Sequence, residues 1–220
     1  SIGQLHMLEE LIVARNAVNY IPPSVSGLSS LKTLSLERND LEVLPDTAFK
    51  FYVECLDLNL AHNKLQHLPT ELQYMTSLTR VQVHNNLLVD LPSGLRYEAS
   101  RENPGWPIFD GGVGALTNLT ELTLHSNELV KLPIDLGLIT CLRTMPLQDN
   151  GKLISPPPEI IMRGHRIILD YLRKLCMSVF TGKLDLSRLG LMRLPEDVIG
   201  LTHITTLNIS ENRLEELDER

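Results

Sequence analysis

Leu31-Lys32-Thr33-Leu34-Ser35-Leu36-Glu37-Arg38-Asn39-Asp40-Leu41 is the stretch that decides the fold. Leucine and polar residues alternate through Leu34-Ser35-Leu36, the period-2 pattern of a strand with one buried face. The phrase Leu-x-x-Leu-x-Leu-x-x-Asn-x-Leu recurs with its asparagine at Asn16, Asn63, Asn86, Asn127, Asn150 and Asn212, mostly at intervals of 23 or 24 residues. Self-similarity at this period marks a solenoid, in which each unit buries its apolar edge only against its neighbours. The consensus divides the chain into units 8–30, 31–54, 55–77, 78–118, 119–141, 142–180, 181–203 and 204–220. Each asparagine is expected to turn inward and satisfy backbone groups between adjacent units. Leu189 takes that position in the 181–203 unit, so the asparagine column has a gap there.

A second phrase follows the strands: Ile21-Pro22, Leu44-Pro45, Leu68-Pro69, Leu91-Pro92, Leu132-Pro133 and Leu194-Pro195. Proline fixes φ and opens a turn, after which about ten residues bring the chain back. So short a return has room for a helical turn and no more. Val25 and Leu28, Leu72 and Met75, or Val198 and Leu201 would seal it. The pattern resembles the leucine-rich-repeat family over nearly the whole chain. The phrase Leu-Pro-x-x-(Ile/Val/Leu)-x-x-Leu is similar to the repeats of the Ras-group and Scribble/Erbin types. The resemblance implies an α/β solenoid, a leucine-rich-repeat horseshoe. Its concave face would be a parallel sheet, its convex segments short helical or irregular pieces, with one longer helix near 158–177. It also implies a cytoplasmic scaffold that binds a protein, with a small GTPase or another signalling protein as the partner.

Two units break the period. The 78–118 unit is 41 residues long, its surplus lying near 94–112, where Tyr97, Trp106 and Phe109 stand among prolines and glycines. Insertions of this length in compact arrays are usually functional or disordered, and three aromatic rings want burial or a partner. Trp106 either plugs the convex shoulder or contacts a partner. The 142–180 unit carries Ser155-Pro156-Pro157-Pro158-Glu159, then Ile160, Ile161, Ile167, Ile168, Tyr171, Leu172 and Leu175, the spacing of an amphipathic helix begun by prolines. A similar segment often closes the array in Ras-group-like proteins, but here the consensus resumes at Leu184-Asp185-Leu186. The expected organisation is therefore repeats over 1–157, a helical insertion over 158–180, and resumed repeats over 181–220. Ile2-Gly3-Gln4-Leu5 reads as the back half of one unit and Glu216-Leu217-Asp218 as part of another, as in a piece of a longer protein.

Hydrophobic residues make up 43% of the chain but aromatic ones only 5%, so Leu, Ile and Val must build the core. A formal net charge of -7 argues against nucleic acid as partner. No apolar run reaches the ~18 residues of a membrane span, and no signal peptide is visible. Cys55, Cys141 and Cys176 lack metal-ligand spacing, and Cys55, at a unit's first leucine position, reads as a small buried hydrophobe. The cysteine caps of extracellular relatives are missing, which points to an intracellular protein. There is no phosphate loop, nucleophile elbow or His-Glu-x-x-His run. No catalytic residue, cofactor or metal site is expected.

Interest falls on the columns that face outward from the sheet. His84 and His125 share a column in consecutive units, roughly 5 Å apart, with His62 one column over in the unit before. Close imidazoles can bind a metal or sense pH, but no carboxylate or thiol completes a metal site. Mixed charges along the strands suit a folded protein partner. The candidate contact comprises Arg38, His62, Arg80, Gln82, His84, Asn85, Thr123, His125 and Ser126, with Trp106 as an aromatic anchor. Two rival expectations stand beside it. One is a regulatory or substrate-recruiting arm of a larger GTPase, kinase or phosphatase; the other is a structural array whose 158–177 helix forms an oligomer interface.

Overall fold

The computed structural model describes residues 1–97 and 107–217, so Trp106 lies outside the described residues. Its strands are three residues each: β1 (Glu10–Ile12), β2 (Thr33–Ser35), β3 (Asp57–Asn59), β4 (Arg80–Gln82), β5 (Leu95–Tyr97), β6 (Pro107–Phe109), β7 (Glu121–Thr123), β8 (Lys183–Asp185) and β9 (Thr206–Asn208). Five of them form one parallel sheet in the order β1-β2-β3-β4-β7. Its register aligns Thr33, Asp57, Arg80 and Glu121, the same phrase position in four successive units. The long unit keeps this register because its surplus falls outside the strand.

Leu34, Leu36, Leu58, Leu60, Val81, Val83, Leu122 and Leu124 are all buried behind the sheet. The return segments are short 3-10 turns such as Pro23–Gly27, Thr70–Tyr74 and Ile134–Leu138. Between strand and return, the asparagines stitch unit to unit. Asn63 donates from Nδ2 to the carbonyls of Leu36 (2.9 Å), Leu60 (3.0 Å) and Ala61 (3.3 Å), and its Oδ1 accepts the Leu41 N–H at 3.1 Å. Asn39, Asn86, Asn127 and Asn150 make equivalent contacts.

The residue before each ladder position is left-handed: Arg15, Arg38, His62, Asn85, Ser126, Asp149, Arg188 and Glu211 have φ between 54 and 61°. That conformation strains most side chains by about 1–2 kcal/mol. At seven of the eight the following asparagine bonds the carbonyls two and three residues before it, and at Arg188 the following Leu189 is held instead by Arg163 and Asn212.

The insertion has a rigid neck. Asp135 is completely buried. Its Oδ1 accepts the Ser93 hydroxyl (3.1 Å), and its Oδ2 accepts the N–H groups of Gly94 (3.0 Å) and Gly114 (3.2 Å). The strands of the neck touch: a Cβ on Gly112 would stand 2.0 Å from the Gly94 nitrogen, so neither chain tolerates a side chain there. Beyond the neck β5 and β6 pair antiparallel. Its root packs on the convex turns, where Gly112 N–H meets Gln73 Oε1 at 3.0 Å.

The helical insertion departs from the expected single helix over 158–177. It is two helices, α1 (Pro158–Ile161) and α2 (His165–Thr181), broken at Gly164 with φ +86°. Gly182, also left-handed, ends α2 four residues later than expected and donates to the Ser178 carbonyl. Glycine reaches these φ values without strain, and the spacing of apolar residues carries no sign of it. α2 lies on the convex turn Ile134–Leu138, where a Cβ on Gly137 would meet the Arg173 backbone nitrogen at 2.2 Å.

The helices interrupt the sheet. Leu122, Leu124 and Ser126 donate to the carbonyls of Thr144, Pro146 and Gln148, so the sixth unit continues the ladder. β8, however, pairs with β9 in a separate sheet. The junction is held on other contacts: Arg163 Nη1 to the Leu189 carbonyl (2.8 Å), Met192 N–H to Glu159 (3.0 Å), and the hydroxyls of Ser155 and Tyr171 to Asp197 on α3 (Glu196–Ile199). Leu189, the gap in the asparagine column, is buried there. Its N–H goes to Asn212 Oδ1 at 3.0 Å while Arg163 takes its carbonyl.

Candidate functional site

The outward columns of the five-stranded sheet form a graded polar strip. In the first column Arg80 sits between two carboxylates, with Nη1 2.8 Å from Asp57 and Nε 3.2 Å from Glu121. Half-exposed ion pairs of this kind contribute little stability. They do fix the guanidinium in one place. The next column aligns Asn59, Gln82 and Thr123. Beyond it Glu37 is held by Arg38 Nε (3.0 Å) and by Asn59 Nδ2 (3.3 Å).

The histidines come together at the end of this strip. The rings of His84 and His125 stack 4.4 Å apart and 13° from parallel, and His62 meets His84 edge-on at 5.3 Å. His84 Nδ1 shares a 2.8 Å hydrogen bond with the Thr123 hydroxyl. Thr123 is buried, so within the candidate set it positions His84 and offers no surface of its own. His125 Nδ1 is buried with no hydrogen-bond partner, the one such side-chain atom among the described residues. Arg38, His62, Asn85 and Ser126 ride on the left-handed turns at the strip's rim, where Ser126 reaches Asp149 at 3.4 Å. The neck that leads into the insertion is rooted on the convex side, away from this strip, and Trp106 lies outside the described residues.

Burial lowers the pKa of His84, and positive charge on His125 or His62 lowers it further against the pull of Glu37 and Glu121. Its folded pKa therefore lies below the ordinary 6.5. The folded state favours the neutral ring, so this contribution is fully present above the unfolded value of 6.5 and is lost as pH falls from there through the lower folded value. The urea midpoint of the wild type should drop between about pH 7.5 and 5.5 by more than that of His84→Gln. Parallel pH dependences for the two proteins would refute this assignment.

Stacked rings hold their nitrogen lone pairs parallel, which does not converge them on one ion. No group of three His, Cys, Asp or Glu side chains placed to hold a metal occurs among the described residues. Cys55 and Cys176 are buried, and burial pushes each thiol up to about 12, far from a reactive thiolate. A cleft of about 510 Å³ opens at the sheet break between Arg163, Arg188, Met192 and Arg213, away from the histidines. No helix among the described residues is long and apolar enough to cross a membrane.

Sequence spacing located the histidine column and the charged strip. It missed the Thr123 support and the buried Asp135, both of which depend on contacts between units 39 to 42 residues apart.

Known proteins share this architecture. The family described as "Leucine rich repeat" matches residues 29–88. Bovine (Bos taurus) osteomodulin is 30% identical over 87 residues, 40% of this chain and 20% of its own length. A MAP kinase phosphatase with leucine-rich repeats from Dictyostelium discoideum is 30% identical over 81 residues, 37% of this chain and 10% of its own length. The chain thus spans a fifth or less of these relatives. A solved leucine-rich-repeat protein of Leptospira interrogans superposes on 99% of this chain and 46% of its own, with a TM-score of 0.58 at 25% identity.

Proposed function

We propose that this leucine-rich-repeat protein is a non-catalytic interaction module that holds a protein partner on its concave sheet. The setting we propose is cytoplasmic signalling of the Ras-group or Scribble/Erbin kind, with a small GTPase or another signalling protein as the partner. The observation that carries the reading is the continuous strip from Asp57–Arg80–Glu121 to the stacked histidines, whose members are held in place by one another. A surface already ordered before binding spares the entropy of ordering it in the complex, and its mixed charge selects a complementary protein face.

The test is affinity capture from a source lysate with the wild-type chain and with a bait carrying Arg80→Glu, His84→Glu and His125→Glu. A protein taken by the first bait and lost by the second supports the reading and names the partner. Identical captures refute the concave contact. Trp106→Ala in the same assay tests the insertion as a separate anchor, and unchanged capture removes it from the contact.

A second reading has its own support. The Dictyostelium relative is named as a phosphatase, and the stretch it shares with this chain is 10% of its length. On that reading the array is the recruiting arm of a larger enzyme. An immunoblot of the endogenous protein decides: a band no larger than the 24.8 kDa of this chain excludes it.

A further inference from the structure

We infer that the imidazole column of His62, His84 and His125 is the acceptor for a carboxylate side chain of the partner, taken up together with one proton from solvent. The inference rests on the concave reading and adds the chemistry of the partner's central contact. Three rings with centroids 4.4 and 5.3 Å apart form a compact basic cluster on a polar, half-buried face. Burial and the two neighbouring rings oppose the charging of His84 at the centre of the column, so a counter-charge is needed there before a proton is held.

The acids around the column are already engaged. From the β2 side Glu37 is held by Arg38 and Asn59. From the strands beneath, Asp57 and Glu121 both bind Arg80. From the sixth unit Asp149 accepts from Ser126. None of these bonds reaches a histidine. Meanwhile His125 Nδ1 is buried without a hydrogen-bond partner among the described residues. An incoming carboxylate supplies the missing counter-charge. Neutral imidazole, a proton and a carboxylate become an imidazolium–carboxylate pair, with no other bond made or broken. Arg80, two residues along the strip, keeps its own two acids and does not compete.

The experiment uses acetate as the probe and needs no partner. The ring protons of each histidine are titrated by NMR in sodium acetate and in sodium chloride at equal ionic strength, with single His→Gln variants for assignment. In acetate the midpoint of His84 should rise by about half a pH unit. Exposed His67, which already faces Asp90, and His203 should stay where they are. Equal His84 midpoints in the two salts, or a shift shared by every histidine, overturn the inference.

The captured partner separates this failure from that of the concave reading. A partner lost on Arg80→Glu but bound equally at about pH 6 and 8 keeps the concave contact and ends the carboxylate proposal. Acetate-specific shifts with no concave partner do the reverse.

Discussion

Asn63→Ala will destabilise the array by about 3–5 kcal/mol, as should alanine at the ladder asparagines that make equivalent contacts. Its amide serves four backbone groups: the carbonyls of Leu36, Leu60 and Ala61 and the N–H of Leu41. Alanine leaves these groups in a water-free interior, where each unmade hydrogen bond costs about 1–3 kcal/mol, partly recovered by relaxation. The same amide supports the strained turn at His62, with φ 56°. Losing it should also disorder one side of the histidine column. Asn16→Ala is the control. That residue is exposed and bonds only within its own turn, to Val13 and Ala14, so its loss should stay under about 1 kcal/mol. Urea unfolding followed by far-UV circular dichroism reads both. Equal midpoints for the two variants would mean that apolar stacking, not the asparagine ladder, couples the units.

Asp135→Ala should cost about 3–4 kcal/mol and release the insertion at its neck. The carboxylate is fully buried and is the shared acceptor of Ser93, Gly94 and Gly114, which enter and leave the insertion. Charge-assisted bonds to backbone N–H groups are about twice as strong as neutral ones. Asp135→Asn keeps the volume but turns an amino group toward one of these donors, and about 2 kcal/mol should be lost. Amide exchange at Gly94 and Gly114 gives the local readout, and both should speed up in either variant. Unchanged exchange with a lowered global midpoint would show that Asp135 supports the convex turn and not the neck. Capture through the concave strip should survive Asp135→Asn, because the neck lies on the other side of the sheet.

The asparagine spacing, the Leu-Pro returns and the alternating strands were legible because they are local and repeated. Each unit states its own strand, turn and return within 23 or 24 residues, and parallel stacking follows from the repetition. The outward columns followed too: once the register was known, His84 and His125 had to be neighbours across a 41-residue step. Glycine-set limits were less legible. Gly164 and Gly182 both break helix by adopting positive φ, and nothing in the spacing of Ile160, Ile168 and Leu175 distinguishes them from glycines that do not.

By itself, then, the amino-acid order determined a leucine-rich-repeat solenoid and the rank of side chains along its concave face. The tertiary structure decided what those side chains do. It stacked two histidines at 4.4 Å, placed Thr123 beneath one and left the other's Nδ1 unpaired. It also buried Asp135 under the insertion and split the sheet before β8. The physical reason is range. Backbone periodicity is set by neighbours a few residues away, whereas burial, hydrogen-bond partners and proton affinity depend on groups that meet only when distant units pack.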